Sequence, residues 1–466
     1  MGMHRTSPTR VVVGFVVAAL TATSLLVSAP SAAATPVAST SSPGQQASSA
    51  AAFVDSIGVN VHLHYTDTIY DRYNDIIKPR LLELGVKNLR DGIFTDPAAS
   101  ASSTYYQRLR DLAQSGMKFN LISSMQTPRG QATDFNKLAD VVAWSGGNNA
   151  VRTLEGVNEP DAQKVSDWAA RTRTVQEQLA STVRSTPTLN GIGIIGPSLT
   201  KTESTRALDD LSGLSDYGNI HNYPSDRNPE TQGWGPNGYG SLLWNLNYIA
   251  RPVTAQRPVI STETGYYNSP TSDSGVSRTA AATYIPRLLL GSYDAGIRRA
   301  FLYELADQKA NPNDKEANFG LLDSTGKPKE SFKALQGLIH LLSDPQGANF
   351  QPGRLDYSLA TQARDIQTSL LQKSDGTFFL AVWRAAPVWD VNADREVQVP
   401  AAPLHVTLPE GSSARAVHEL GQDGLMRTRS LSGPQADLQV GPTVQLVEIG
   451  TSAPQPTTPT PGSSSS

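Results

Sequence analysis

Short apolar runs separated by longer amphipathic stretches organise the chain between about residues 55 and 345. The runs fall at 57–63, 86–89, 119–122, 154–157, 192–195, 217–220, 259–260 and 300–302. Each is rich in Val, Ile and Leu and is closely bounded by Gly, Asn or charged residues, the signature of a strand buried on both faces. Between them lie stretches of helical period. "YNDIIKPRLLELG" puts Ile76, Ile77, Leu81, Leu82 and Leu84 on one side, and "VSDWAARTRTVQEQLASTVRS" repeats in the same way. Eight strands alternating with helices predict parallel βα units, and eight units close into a (β/α)₈ barrel. An open doubly wound sheet is the rival. It would carry a Gly-rich phosphate turn after the first strand, and "GVNVHLHY" is not one.

After about residue 345 the pattern changes. Helical periodicity gives way to short alternating runs: "LDYSLAT", "IQTSLLQ", "TFFLAVWRA", "REVQVP", "LHVTLP", "ARAVHEL" and "TVQLVEIG". "KSDGT" supplies a hairpin turn between two of them. A smaller all-β domain, a sandwich, is expected at 346–451 after the barrel at 53–345.

The two ends have other compositions. Arg5 and Arg10 precede an apolar run at 11–27 and then "SAPSAAA". This is the three-part pattern of a secretory signal peptide, expected at 1–34. A membrane anchor is the alternative, weakened by the short run and its Gly14, Thr21, Thr23 and Ser24, and a secreted, extracellular protein free of the membrane after cleavage is expected. Residues 35–52 read as a flexible leader and 452–466 as a disordered Pro/Thr/Ser tail. A formal net charge of −3 and no basic-aromatic patch argue against a nucleic-acid partner. The absence of cysteine excludes disulfides, thiolate metal sites and a cysteine nucleophile. A monomer held by its core alone is expected, the chain being long enough to bury one.

In a barrel, chemistry sits at the C-terminal ends of the strands. Strand one ends in Asn60, His62 and His64, strand two in Arg90 and Asp91, and strand four in Asn158 and Glu159. Strand six ends in His221, Asn222 and Tyr223, strand seven in Glu263, and strand eight in Tyr303 and Glu304. Two glutamates thus end strands four and seven, 104 positions apart (263 − 159). Glycosidic hydrolysis needs such a pair: one carboxylic acid protonates the leaving oxygen while a second carboxylate attacks the anomeric carbon.

These residues resemble clan A, the (β/α)₈ retaining glycoside hydrolases, over roughly residues 55–345. The resemblance rests on "GVNEPD", "TETG" and the "HNY" between them. It implies that Glu159 is the acid/base, Glu263 the nucleophile, and Asn158 the donor to the sugar 2-hydroxyl. It implies that Tyr223 hydrogen-bonds the nucleophile, that His221 lines the site, and that Arg90 holds the nucleophile ionised. The product is a covalent glycosyl-enzyme, with a carbohydrate substrate, no metal and no cofactor. One departure stands out. Many members carry a Trp at the end of strand eight, where this chain reads "FLYELAD". Either Tyr303 takes that place or Glu304 contacts the sugar directly. Under this reading the Glu159 pKa should be raised and the Glu263 pKa lowered, with carboxyl groups roughly 5–5.5 Å apart.

Other readings compete. Glu159 suits a helix-capping position before Pro160, and Arg90 and Asp91 could simply pair. His62 and His64 form a His-x-His like that of metal-dependent hydrolase barrels, but strand five carries no histidine and strand four no lysine to complete such a site. In the glycosidase reading at least one of the two faces the cleft and bonds sugar hydroxyls. The segment "SDRNPETQGWGPNGYGSLLW" carries Trp234, Tyr239 and Trp244 and is a candidate subsite wall. A non-catalytic glycan-binding barrel is the alternative from another class. Neither the sugar nor exo against endo action is legible.

Overall fold

The computed structural model of the chain describes residues 40–41, 44–128, 130–268 and 275–452. The expected signal peptide, and all of the expected tail but its first residue, lie outside these residues.

Eight parallel strands follow the apolar runs: β1 Ile57–Asn60, β2 Asn88–Gly92, β3 Lys118–Ile122 and β4 Val151–Glu155. The second half is β5 Gly193–Ile195, β6 Gly218–Asn222, β7 Val259–Thr264 and β8 Ala300–Leu302. They are ordered 5-4-3-2-1-8-7-6. The ring closes between β5 and β6 through the parallel bridge of Ile195 with Tyr217 and the 3.0 Å bond from Gly196 N–H to the Tyr217 carbonyl. This is a (β/α)₈ barrel. Several ladders extend beyond the apolar runs into polar residues, so β2 includes Arg90 and Asp91, and β6 includes His221 and Asn222. The barrel mouth is polar inside, and hydropathy alone therefore places those strand ends too early.

Both amphipathic stretches are helical. The first forms a wide turn at Tyr73–Ile77 and then a helix at Lys78–Leu84, and the second a helix at Trp168–Ser185. Leu82, expected on the apolar side of the first, is instead exposed.

The C-terminal region is a β-sandwich. One sheet runs, in order, Met426–Ser430, Ser412–Leu420, Gln445–Thr451, Phe378–Arg384, Ile366–Gln372 and Ser48–Ser49; the other runs Thr40–Ser41, Ser358–Ala360, Ala402–Thr407 and Gln435–Val440. Leu404, Val406, Leu438 and Val440 of the smaller sheet share a core with Leu370, Leu380, Val382, Val447 and Ile449 of the larger. The hairpin at "KSDGT" closes with bonds between Lys373 and Thr377 and between Gly376 and Lys373.

The expected flexible leader is corrected over its described residues, 40–41 and 44–52. Gln45–Gln46 pairs with Arg354–Leu355, Ser48–Ser49 runs parallel to Leu371 and Gln372, and Ala50–Asp55 is a helix capped by the Ser49 hydroxyl. Ala47 and Ala50 are buried. Partners some 300 residues away in sequence give this small, polar segment its hydrogen bonds, which no local pattern announces.

The other face of the larger sheet packs on the barrel, where Leu371, Phe379, Ala381 and Trp383 join the barrel core. Arg287, completely buried in the helix Arg278–Asp294, pairs with Glu230 of the loop after β6 and donates to the Ala386 carbonyl (3.1 Å). Trp383 Nε1 also donates to Glu230, at 2.8 Å. The sandwich thus grips a loop that leaves the C-terminal end of β6.

Candidate active site

The turn after β4 carries the first carboxylate. Gly156 leaves the strand where a Cβ would fall 2.3 Å from Gln176 Oε1 and 2.8 Å from the Pro197 nitrogen, so a side chain does not fit. Glu159 then adopts the left-handed region (φ 41°, ψ 51°), its N–H donating to Ser198 Oγ at 3.0 Å. Such a conformation costs a non-glycine residue about 1–2 kcal/mol. Here it turns the side chain toward the barrel axis.

On β7 a bulge does comparable work. The register with β6 slips between Ser261 and Glu263, which pair with Ile220 and His221. A regular strand would send neighbouring side chains to opposite faces. The extra residue lets both Thr262 and Glu263 reach the barrel interior. Thr262 Oγ1 lies 2.7 Å from Asn219 Oδ1, while Glu263 accepts from Arg90 Nη1 (2.8 Å) and the Tyr223 hydroxyl (2.9 Å).

His221 joins the two carboxylates. Its Nδ1 stands 2.7 Å from Glu159 Oε1 and 3.5 Å from Glu263 Oε2, and its Nε2 is 3.1 Å from Thr262 Oγ1. One carboxylate oxygen of Glu159, one of Glu263 and a ring nitrogen of His221 all lie within 4.8 Å of one another. Burial alone would lower the His221 imidazole, but the Glu263 charge and the hydrogen bond and charge of Glu159 outweigh it and hold the ring above its ordinary value. Glu159 shows the reverse: burial pushes it up, yet the His221 bond and charge, with Arg90 and Lys315, leave it below the usual carboxylate range. The expected raised Glu159 is therefore corrected. Both shifts favour a proton on the imidazole side of this bond. Tyr223 is raised well above its ordinary value by burial and by Glu263, so it stays a donor.

A pocket of about 400 Å³ opens over the pair, lined by Asn158, Glu159, Tyr223, Ser225, Glu263, Gly265, Tyr267, Tyr303, Lys315, Glu316 and Phe319. Gly265 has φ +142°, a conformation L side chains rarely adopt, and a Cβ there would sit 3.0 Å from the Tyr303 carbonyl. Phe319 packs against Tyr223, Tyr267 and Tyr303 at ring distances of 5.6, 5.1 and 5.3 Å, which makes one wall aromatic.

No family model and no curated protein matches the chain. Solved structures do. A family 39 glycoside hydrolase from Bacteroides cellulosilyticus WH2 aligns with a TM-score of 0.56 at 16% identity, covering 85% of this chain and 81% of that one. A glucosidase from Croceicoccus marinus aligns at 0.56 and 13% identity over 85% and 96% of the two chains. A GH51 arabinofuranosidase from Xanthomonas axonopodis pv. citri aligns at 0.52 and 12% over 88% and 98%. The chain shares the fold of these proteins, a (β/α)₈ barrel followed by a β-sandwich.

Within that fold the sequence candidates divide into two groups. Asn158, Glu159, Tyr223, Glu263 and Tyr303 line the pocket, with Arg90 and His221 bonded directly behind the carboxylates. Tyr303 thus occupies the strand-eight position on the pocket wall. The other candidates stand back. Glu304 is completely buried and lies 3.1 Å from His62 Nε2, with burial raising its carboxyl above the usual range. His64 Nδ1 lies 3.5 Å from Asp91 Oδ1. Neither histidine lines the pocket, and the two ring centroids are 6.4 Å apart, each ring beside its own carboxylate. Arg90 and Asp91 do not pair as the bland reading had it; Asp91 instead accepts from the Leu63 and Gly92 N–H groups. Trp234 is exposed but does not line this pocket. The Arg227 guanidinium lies 4.5 Å from its ring centre, and a Cβ on Gly240 would fall 2.2–2.5 Å from its benzo ring. Trp383 of the sandwich is buried at the barrel interface.

Sequence reading missed Lys315, Glu316 and Phe319, which come from the segment between β8 and the last helix, Glu330–Leu342. It also missed Glu155. A lone carboxylate inside the apolar run "VRTLEGV" was the available signal, since charges are rarely buried in strands without partners.

Proposed function

We propose that this protein is a secreted retaining glycoside hydrolase acting on a poly- or oligosaccharide. The observation that carries the reading is the pair Glu159 and Glu263, with oxygens within 4.8 Å of each other at the floor of a pocket. That spacing suits a nucleophile acting directly, because an inverting pair stands about 6.5–9.5 Å apart to admit a water. The folds of glycoside hydrolases described above support the same class. Secretion rests on the N-terminal sequence pattern.

In this reading Glu263 attacks the anomeric carbon as the glycosidic bond breaks. Arg90 and Tyr223 hold its two oxygens, one each. The leaving oxygen takes a proton from Glu159, which first receives it from His221 across 2.7 Å and is left as the carboxylate. Filling the pocket with sugar removes water from Glu159, which favours its neutral form and draws that proton over. A water then enters, gives a proton to Glu159, and releases the sugar from Glu263. Asn158, anchored through its Oδ1 by Arg90 Nη2 at 2.6 Å, presents its amide N–H groups to the 2-hydroxyl.

The test is product release from a broad panel of polysaccharides and aryl glycosides by wild type and Glu263→Gln. Turnover that collapses in the variant supports the reading. Turnover that survives overturns the nucleophile, and tight glycan binding with no turnover favours a binding barrel.

A further inference from the structure

One buried carboxylate has no task in that scheme. Glu155 ends β4, four residues before Glu159, and is completely enclosed. Its oxygens accept from Arg90 Nε and Nη2 (both 2.8 Å), Asn120 Nδ2 (2.5 Å) and Asn219 Nδ2 (3.1 Å), with Thr262 Oγ1 also 3.1 Å away. Arg90, Asn120 and Asn219 aim N–H donors at this carboxyl, while the single Thr262 hydrogen also has Asn219 Oδ1 within reach at 2.7 Å.

Arg90 is equally committed. Nε and Nη2 face Glu155, Nη2 also reaches Asn158, and Nη1 reaches Asn60 (2.8 Å) and Glu263. Five N–H groups meet five acceptors, which fixes the guanidinium plane. Its back edge is held by Glu155 and its front edge holds the nucleophile and Asn158. One cation is thus shared by two carboxylates, only one of which reaches the pocket.

We propose that Glu155 is a positioning residue for the nucleophile. It aims Arg90 at Glu263 and Asn158 and absorbs part of the Arg90 charge. Glu263 is then held in one orientation by the Arg90 and Tyr223 hydrogen bonds. The proposal rests on the reading of Glu263 as nucleophile.

The test needs a readout independent of turnover. The rate of carbodiimide coupling at Glu263, followed by peptide mass spectrometry across pH, reports its ionisation in wild type, Glu155→Gln and Glu155→Asp. In Glu155→Gln the whole Arg90 charge falls on Glu263. Its midpoint should drop by about one pH unit, and the acid limb of kcat/KM should follow. On an aryl glycoside kcat should fall about 100-fold with KM within about threefold, the mark of an interaction that acts in the transition state. Glu155→Asp keeps the charge but draws Arg90 back. Its midpoint should match wild type while kcat falls, and this variant carries the test if the glutamine variant does not fold. A folded Glu155→Gln with an unmoved midpoint, or a Glu155→Asp with wild-type kcat, overturns the proposal. If the glycosidase reading itself fails, no protein turns over, yet the midpoint shift at Glu263 remains.

Discussion

His221 Nδ1 lies 2.7 Å from Glu159 Oε1 and 3.5 Å from Glu263 Oε2, so one imidazole touches both members of the carboxylate pair. The ring is held above its ordinary value and Glu159 below its own, which favours one proton on the imidazole side of their bond. General-acid chemistry needs that proton present. Activity should therefore be lost as pH rises through the raised His221 value, above the ordinary imidazole range. In His221→Asn the acid is a lone Glu159 carboxyl. The alkaline limb of kcat/KM should move to lower pH by about one unit or more. A pH–rate profile of the two proteins measures this, and an unmoved limb would place the proton elsewhere.

The two glutamates should separate by leaving group. Glu159→Gln should cost about 10²–10⁴-fold on natural linkages, the range of general acid–base assistance. On aryl glycosides with very acidic phenols the first step should be nearly spared, because the phenolate leaves unaided. Burst kinetics with such a substrate would show this. Equal losses on both substrate types would remove Glu159 from the acid role.

Removing the Tyr223 hydroxyl should act through Glu263. The Tyr223→Phe change deletes the 2.9 Å bond to Oε2 and leaves the ring contact with Phe319. A hydrogen bond to a charged group is worth about 1.5–3 kcal/mol. A drop in kcat of about 10–100-fold with a small change in KM is expected from steady-state kinetics.

Chelators should leave the rate unchanged. Glu159, His221 and Glu263 are close enough to hold a cation, but each already has a hydrogen-bond partner in the site that the proposed reaction uses. His62 and His64 are each drawn to a separate carboxylate. Activity after exhaustive dialysis against EDTA decides the point, and a loss restored by a divalent metal would revive the metallohydrolase.

Breaking the barrel–sandwich clamp should destabilise the fold. Arg287 is completely buried, and Glu230 is its carboxylate partner; burial pushes Glu230 up, but the Arg287 bond and charge hold it below its usual range. Glu230→Ala leaves the guanidinium unpaired, a loss of about 3–5 kcal/mol for a buried pair. Thermal unfolding should show a lower Tm. An unchanged Tm would mean that the Ala386 and Pro442 carbonyls suffice.

Much of the site was legible before any fold was known. "GVNEPD" and "TETG" named both carboxylates, and "HNY" named the groups bonded to them, because the resemblance rests on residue types at strand ends. The proton's place was not legible. Glu159 was expected above its ordinary value from its role, yet its value follows from a histidine 62 residues away in sequence. Trp234 is exposed but does not line the pocket, and its contacts with Arg227 and Gly240 depend on the loop's own folding.

The sequence by itself determined the barrel, the sandwich and the chemical groups at the strand ends. Period-2 and period-3.6 burial, turn residues and buried-strand composition are local properties written in neighbouring positions. Only the tertiary structure decided how charge is distributed among those groups. Arg90 serves both Glu155 and Glu263, His221 serves both Glu159 and Glu263, and residues 44–52 complete a sandwich some 300 residues downstream. Electrostatic coupling and long-range strand pairing depend on distance through space, and no local pattern in the chain encodes that distance.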